Sequence, residues 1–336
     1  MISRLKAIAL VLLAVVMFML LINLIPPGKV MKDNPFVVGK GNLPMIAAHR
    51  GGTKNNPENT LLAFREAVKS YQVEAIESDL YMTKDGVLVY NHDGYIDETC
   101  DINGDIPFPD VIKKCKIKSN RHYIKDMTID ELRQYNFGYY FTDDSGERIY
   151  KDVTDIEAAG LQIATVEQLF DEFYKTNPDL LFIVEIKDSG KVGIEAVKKL
   201  NEVLKSYPDY IDNVVVCSFH REIEKELKKN YPHLMRGASI AGAAGFVITQ
   251  FMGINILSGS SFTCLQLPLS YDLKVAEIRL DFKTIIKRAH RKNIAVQYWT
   301  VNDADEMRHL IDLGVDCIIT DDPALMRQVL SEYGGQ

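Results

Sequence analysis

What the chain lacks narrows its chemistry first. It has no long block of Lys or Arg and no repeated Arg/aromatic pattern, and its formal net charge is −7, so nucleic-acid binding has no support. Neither G-x-G-x-x-G nor G-x-x-x-x-G-K-[ST] follows its first strand-like run, which speaks against an open doubly wound sheet with a Gly-rich phosphate loop. Cysteine is scarce. The five residues are an odd number, which argues against a full disulfide framework. Cys217, Cys264 and Cys317 lie in apolar runs and read as buried thiols. Cys100 and Cys115 flank a polar, Pro-containing loop and are expected to bridge if that loop faces an oxidising space. No internal repeat or low-complexity tract interrupts the chain.

What is present begins with an uncharged run from Ala7 to Ile25, preceded by Arg4 and Lys6 and ended by Pro26 and Pro27. At about 1.5 Å rise per residue such a run can span the ~30 Å hydrocarbon core of a bilayer. A cleaved signal peptide is the competing reading, but Leu24-Ile25-Pro26-Pro27-Gly28 makes a poor cleavage site. Residues 1–27 are therefore expected to form one transmembrane anchor, 28–43 a linker, and 44–330 a catalytic domain. Arg4 and Lys6 favour a cytoplasmic N-terminus, whereas Lys29 and Lys32 oppose it. The expected location is the cell membrane, single-pass, with the catalytic domain outside the cytoplasm.

Beyond the linker, short apolar runs alternate with amphipathic stretches. Met45–Ala48, Ala75–Tyr81, Leu181–Ile186, Val214–Phe219, Met235–Ala241, Phe262–Leu267, Ile294–Val301 and Val315–Thr320 read as strands. Helical patterns at Thr60–Tyr71, Val166–Tyr174, Ile194–Lys205, Glu222–Lys229, Phe282–Arg291 and Asp305–Leu313 lie between most of them. That alternation implies parallel strands with right-handed crossovers. The predicted fold is α/β, a TIM (β/α)8 barrel, with a long insertion at about 94–160 after a hairpin on the second strand. In such a barrel the working residues sit at the carboxyl ends of the strands.

Those ends carry the chemistry. The first strand ends in His49-Arg50-Gly51-Gly52. Pro57-Glu58-Asn59-Thr60 then opens a helix, where Asn59 reads as an N-cap and Glu58 as a carboxylate at the helix start, with a supporting role in the site as the alternative. Glu77 and Asp79 alternate onto one face of the second strand, and two such carboxylates stay ionised cheaply only around a cation. A two-residue Asp85-Gly86 turn would place His92 opposite Asp79, whereas a three-residue loop would slip the register by one. Glu185 and Lys187 share a face on the third barrel strand, which suits a metal ligand and a phosphate contact. The seventh strand delivers Trp299, the only tryptophan, and the eighth ends in Asp321-Asp322, which read as caps of the last helix. His122, His220, His233, His290 and His309 read as surface residues.

The series His49-Arg50-Gly51, Pro57–Thr60, Glu77-x-Asp79, Thr83–Gly86, His92-Asp93, Glu185-x-Lys187, Trp299–Asn302 and Gly314–Asp316 to Pro323 resembles the motifs of the glycerophosphodiester phosphodiesterase family, in order, across residues 45–327. The resemblance implies a TIM barrel that hydrolyses small-molecule glycerophosphodiesters to an alcohol and glycerol phosphate. It implies His49 and His92 as the acid–base pair and Glu77, Asp79 and Glu185 as ligands of a divalent cation. It further implies Arg50 and Lys187 as phosphate contacts and Trp299 as a lining residue. An all-oxygen carboxylate set suits Ca²⁺ or Mg²⁺. Two other functions compete: a phospholipase D-like lyase of the sphingomyelinase D type, acting on membrane lipids, and a catalytically inactive, membrane-tethered binding protein.

Overall fold

The structure, a computed structural model, describes residues 2–25, 27–251, 254, 259–272 and 277–334. The strands are β1 (Met45–His49), β2 (Ala75–Met82), β3 (Leu88–Tyr90), β4 (Leu181–Ile186), β5 (Val214–Cys217), β6 (Met235–Arg236), β7 (Cys264–Leu267), β8 (Ser270–Asp272), β9 (Glu277–Arg279), β10 (Ala295–Tyr298) and β11 (Cys317–Thr320). The helices are α1 (Ile2–Leu24), α2 (Leu61–Lys69), α3 (Phe108–Cys115), α4 (Ile129–Leu132), α5 (Val166–Phe173), α6 (Gly190–Leu204), α7 (Arg221–Asn230), α8 (Ile240–Phe251), α9 (Lys283–Arg291), α10 (Ala304–Leu313) and α11 (Pro323–Ser331).

Eight parallel strands run in the order β6-β5-β4-β2-β1-β11-β10-β7, and β3 pairs antiparallel with β2 beside them. A parallel bridge between Gly237 and Cys264 joins the ends of this row. Thr263 N donates to the Arg236 carbonyl and Ala238 N to the Cys264 carbonyl, both at 2.8 Å. The ring is a TIM-type barrel, as the strand–helix alternation requires.

Period-two alternation fixes what each strand points inward. Ala47, Ala75, Ile183, Val215, Cys264, Ala295 and Ile319 form one apolar cluster inside the barrel, separate from the larger core between barrel and helices. Two residues further along each strand the same face becomes His49, Glu77, Glu185, Cys217, Gln266, Gln297 and Asp321. The lower half of the interior is thus dry packing and the upper half is polar.

Residues 28–43 run across the lower end of the barrel. Phe36 is fully buried in the interior cluster, with Met31, Val37 and Val38 against it. Asn34 Nδ2 donates to the Thr263 and Asn293 carbonyls at 2.9 and 3.0 Å, and Val38 N donates to Asp316 Oδ1 at 3.1 Å. The buried Asp316 also accepts from Val296 N at 2.7 Å and lies 2.7 Å from His290 Nε2, so His290 is a partnered residue rather than a plain surface one.

The insertion packs around its own apolar centres. Ile96, Cys100, Ile124, Leu132 and Phe137 form one with Val89 and Ile163, and Val111, Cys115, Tyr139 and Tyr140 form another. The expected Cys100–Cys115 bridge is absent. Both thiols are free and buried, and they belong to different clusters. Apolar packing, not a cross-link, carries this segment. His122 is also partnered: its Nδ1 lies 2.8 Å from Oδ1 of the buried Asp97.

Two further expectations change, and one strand pair has no counterpart in the sequence reading. The strand expected over Met235–Ala241 stops at Arg236. A Cβ at Gly237 would meet Cys217 Sγ at 2.5 Å, and Ser239 Oγ then accepts from Gly242 N as α8 begins. After β7, β8 and β9 pair antiparallel in a stretch to which the sequence analysis assigned no element. At the N-terminus the apolar run is a helix, but among the described residues no helix is long and apolar enough to cross a membrane. The expected transmembrane span is therefore not shown by the structure.

Candidate active site

Both backbone and side chain of the β1 end are committed to the barrel mouth. Gly51 and Gly52 have φ of +88° and +92°, and a Cβ on Gly51 would meet Ala63 Cβ at 2.7 Å, so the turn against α2 requires glycine. Arg50 itself has φ +52°. Its backbone N–H donates to Glu77 Oε2 at 3.1 Å, its Nη1 to Glu58 Oε2 at 2.9 Å, and its Nε lies 3.2 Å from Asp79 Oδ2. The Glu58 carboxylate thereby holds the guanidinium over the acidic pair.

Thr60, not Asn59, caps α2: its hydroxyl accepts from Ala63 N at 3.2 Å. Asn59 takes φ +57° and turns its amide to β2, where Nδ2 donates to Asp79 Oδ2 at 3.3 Å and Oδ1 accepts from Asp79 N at 3.4 Å. Glu58 and Asn59 thus both turn their side chains toward Arg50 and Asp79 rather than to the start of α2.

Glu77, Asp79 and Glu185 come together with one carboxylate oxygen each, all within 4.8 Å of one another. The β2–β4 register sets this, since Asp79 pairs with Glu185. Lys187 Nζ lies 3.0 Å from Asp79 Oδ1 and 2.9 Å from Glu185 Oε2. Burial pushes the Glu77 carboxyl up, and the Asp79 charge adds to this, reaching about 7. Glu185 is raised as well, by burial first, with Lys187 acting against it and Asp79 with it. Four carboxylates, Glu58 among them, face only the Arg50 guanidinium and the Lys187 ammonium, and the excess negative charge is the condition a hard cation relieves. The donor set fits a divalent cation.

His49 Nδ1 lies 2.6 Å from Asp321 Oδ1, and its Nε2 is 3.8 Å from Glu77 Oε2. Burial opposes protonation of this imidazole, but the Asp321 hydrogen bond and the Glu77 charge outweigh it, and its pKa rises above the ordinary value. Asp321 is held in turn, because Asn302 Nδ2 donates to its Oδ2 at 2.6 Å and its backbone N–H donates to Asn302 Oδ1 at 2.9 Å. Asp321 sits below the usual carboxylate range at about 2; burial opposes this, and the bonds from His49 and Asn302 prevail. The sequence reading assigned both terminal aspartates to capping. Only Asp322 caps α11, accepting from Leu325 N at 2.9 Å. The missed signal was the inward alternation from Ile319 to Asp321.

His92 reaches the mouth by a different register from the one a two-residue turn gives. The pairs are Leu80–Tyr90, Tyr81–Val89 and Met82–Leu88, so the loop is Lys84-Asp85-Gly86 with Gly86 at φ +80°. Asn91, not His92, then faces Asp79, its N–H donating to the Asp79 carbonyl at 3.0 Å. His92 lies one residue beyond, 3.6 Å from Asp93 Oδ1, and its charge is among those that hold Glu185 down. Trp299 is 36% exposed at the rim, with the half-exposed Phe219 ring 6.2 Å from it. In the same layer as Glu185, Cys217 Sγ donates to Gln266 Oε1 at 2.9 Å and Gln266 Nε2 to Gln297 Oε1 at 3.0 Å, a polar chain that sequence reading did not single out. His220 Nε2 lies 3.0 Å from the Lys187 carbonyl, which places it beside the site rather than on open surface.

Known proteins share this fold. Residues 49–325 match the glycerophosphoryl diester phosphodiesterase family. A glycerophosphodiester phosphodiesterase of Caldanaerobacter subterraneus subsp. tengcongensis is 29% identical over 293 residues, covering 86% of this chain and 99% of that protein. The crystal structure of a glycerophosphoryl diester phosphodiesterase domain from Mycobacterium tuberculosis superposes with a TM-score of 0.67 at 19% identity, covering 85% of this chain and 99% of that one. An Oleispira antarctica phosphodiesterase, solved in complex with the product sn-glycerol-3-phosphate, gives 0.59 at 19% identity over 86% and 97%. On these matches the chain is an enzyme, a phosphoric diester hydrolase, and it belongs to the glycerophosphoryl diester phosphodiesterase family.

Proposed function

We propose that the enzyme hydrolyses glycerophosphodiesters to an alcohol and glycerol phosphate in a reaction that depends on a divalent cation, Ca²⁺ or Mg²⁺, held by Glu77, Asp79 and Glu185. The observation that carries this reading is the convergence of those three carboxylates within 4.8 Å, beside His49. A cation held there would supply positive charge against the phosphate and make a neighbouring hydroxyl easier to deprotonate. Arg50 and Lys187 bring a guanidinium and an ammonium to the same place and bind the phosphate oxygens. Trp299 lines the entrance.

His49 and His92 exchange the protons. With Nδ1 held by Asp321, His49 keeps Nε2 for the substrate. One histidine accepts the proton of the neighbouring glycerol hydroxyl as its oxygen bonds to phosphorus. The other donates a proton to the departing alcohol oxygen as that P–O bond breaks. Water then opens the resulting cyclic glycerol phosphate with the roles reversed. A diester whose neighbouring glycerol hydroxyl is removed should bind without turning over, and cleavage at the normal rate would replace internal attack with direct attack by water. The soluble substrate glycerophosphocholine should be turned over in preference to sphingomyelin and lysophospholipid, and the reverse preference would favour the lyase.

We propose further that α1 seats the enzyme in the cell membrane with the barrel outside the cytoplasm. Support comes from its side chains: Leu10, Val11, Leu12, Leu13 and Phe18 stand exposed with nothing packed over them. Membrane-fraction enzyme in intact cells should be digested by added protease. Full protection there, with digestion after lysis, would reverse the orientation, and recovery in the soluble fraction would remove the anchor.

A further inference from the structure

Two neighbouring outer helices differ from the rest of the barrel's shell. The sequence from Gly237 to Tyr271 contains no Asp, Glu, Lys, Arg or His. α8 lies within it, and its solvent side is a stripe of Ile240, Ala244 and Ile248, with Ile240 62% and Ile248 56% exposed. Their spacing of four residues puts them in one row along the helix. The outer faces of α6, α7 and α10 carry charged residues, whereas the outer stripe of α8 carries none. α9 packs beside α8 and has no acidic residue at all. Its exposed row, again spaced by four, is Lys283, Lys287 and Arg291. An apolar row and a basic row therefore run side by side, which divides between two helices the pattern that single interfacial helices carry on one.

The same flank meets the end of α1. Arg291 Nη2 donates to the Ile25 carbonyl at 3.0 Å, just past the last turn of that helix, and Arg288 Nη1 donates to the Gln250 carbonyl at the end of α8. The ends of α1, α8 and α9 thus share one corner at the lower rim of the barrel.

We propose that the α8–α9 flank rests on the surface of an anionic lipid bilayer, with Ile240 and Ile248 set into the headgroup boundary and Lys283, Lys287 and Arg291 against anionic headgroups. The proposal builds on the reading of α1 as a membrane-seated helix, because α1 brings this corner to the bilayer. Apolar burial supplies contact regardless of lipid charge, and each basic side chain adds attraction that depends on anionic lipid. The barrel then lies with its axis inclined to the membrane instead of standing on its lower end, and its mouth opens to the side.

The full-length chain is reconstituted into phosphatidylcholine vesicles with brominated acyl chains, with and without phosphatidylglycerol. An environment-sensitive fluorophore is attached at Ile248→Cys and, separately, at Lys69→Cys on α2. α2 follows β1, which stands opposite β6 in the ring of eight, so Lys69 marks the far side. The label at 248 should shift to the blue and lose emission to the brominated lipid, more so with phosphatidylglycerol, while the label at 69 stays as in buffer. Lys283→Glu with Lys287→Glu should abolish the phosphatidylglycerol effect and leave turnover of glycerophosphocholine unchanged. Vesicle-bound enzyme with equal, water-like emission at both positions would overturn the proposal and leave the α1 anchor standing. Enzyme that does not sediment with vesicles would overturn both. An unchanged phosphatidylglycerol effect in the double variant would overturn the role of the basic row.

Discussion

His49 is fixed at one ring nitrogen only, and that asymmetry governs the residue-scale expectations. If His49 and His92 exchange the protons, His49→Ala and His92→Ala should each lose at least ~10²-fold in kcat with the fold intact. Acting as a unit, their double variant should be far less than additively worse, and near-normal turnover in either single variant would remove that residue from the pair. Asp321→Asn should lower kcat by about 10-fold or more and displace the acid limb of its pH profile, because the imidazole loses the charge that holds it. An unchanged profile would reduce Asp321 to packing. Glu77 and His49 also set a pH dependence of stability. Both have folded pKa values above their unfolded ones, so the native state holds more protons, and metal-free enzyme should lose stability as pH rises through about 7. Asp321 works in the other direction, its contribution present above its unfolded pKa of about 4 and lost as pH falls through about 2. Urea midpoints in chelator at pH 5.5 and 7.5 check the first sign, and Glu77→Gln should flatten most of the difference.

At the scale of elements, strands were legible wherever alternation met apolar residues. Leu181–Ile186 agrees residue for residue, and the acid and base positions followed from the face they share. Asp321 escaped because a terminal Asp-Asp before Pro323 also satisfies the rules for capping, and only the barrel's inward face separates the two residues. The hairpin register turned on one residue of loop length, which Gly86 in a left-handed conformation decides and the letters alone do not. α8 was missed because its lack of charge removes the amphipathic signature. Residues 28–43 read as a linker from their Gly, Pro and polar content, yet Phe36 is fully buried under the barrel. Phe36→Ala should therefore destabilise the protein by about 3–5 kcal/mol, read as a lower urea midpoint, whereas a free linker would show no change. Cys100 and Cys115 should titrate as two free thiols in unfolded, unreduced enzyme, and a mass consistent with a bridge would contradict the packing described above.

For the whole molecule, fold and family were readable from motif order, while the metal, the membrane and the substrate's head group depend on terms no single motif contains. The barrel gathers carboxylates from two strands, and their joint repulsion sets the demand for a cation. The central claim is tested most directly by a thermal unfolding and turnover experiment on one pair of proteins, wild type and Glu77→Gln, with glycerophosphocholine as substrate. Stripped with chelator, the wild type should be inactive. Ca²⁺ or Mg²⁺ at a hundredfold excess over Kd should restore turnover and add about 2.7 kcal/mol of stability, a rise of several degrees in Tm. Glu77→Gln should fold and be at least as stable as the stripped wild type, having lost a buried charge, and should gain neither turnover nor Tm from the ion. Full activity of the chelated wild type, or equal restoration in Glu77→Gln, would contradict a cation-dependent hydrolysis seated on Glu77, Asp79 and Glu185.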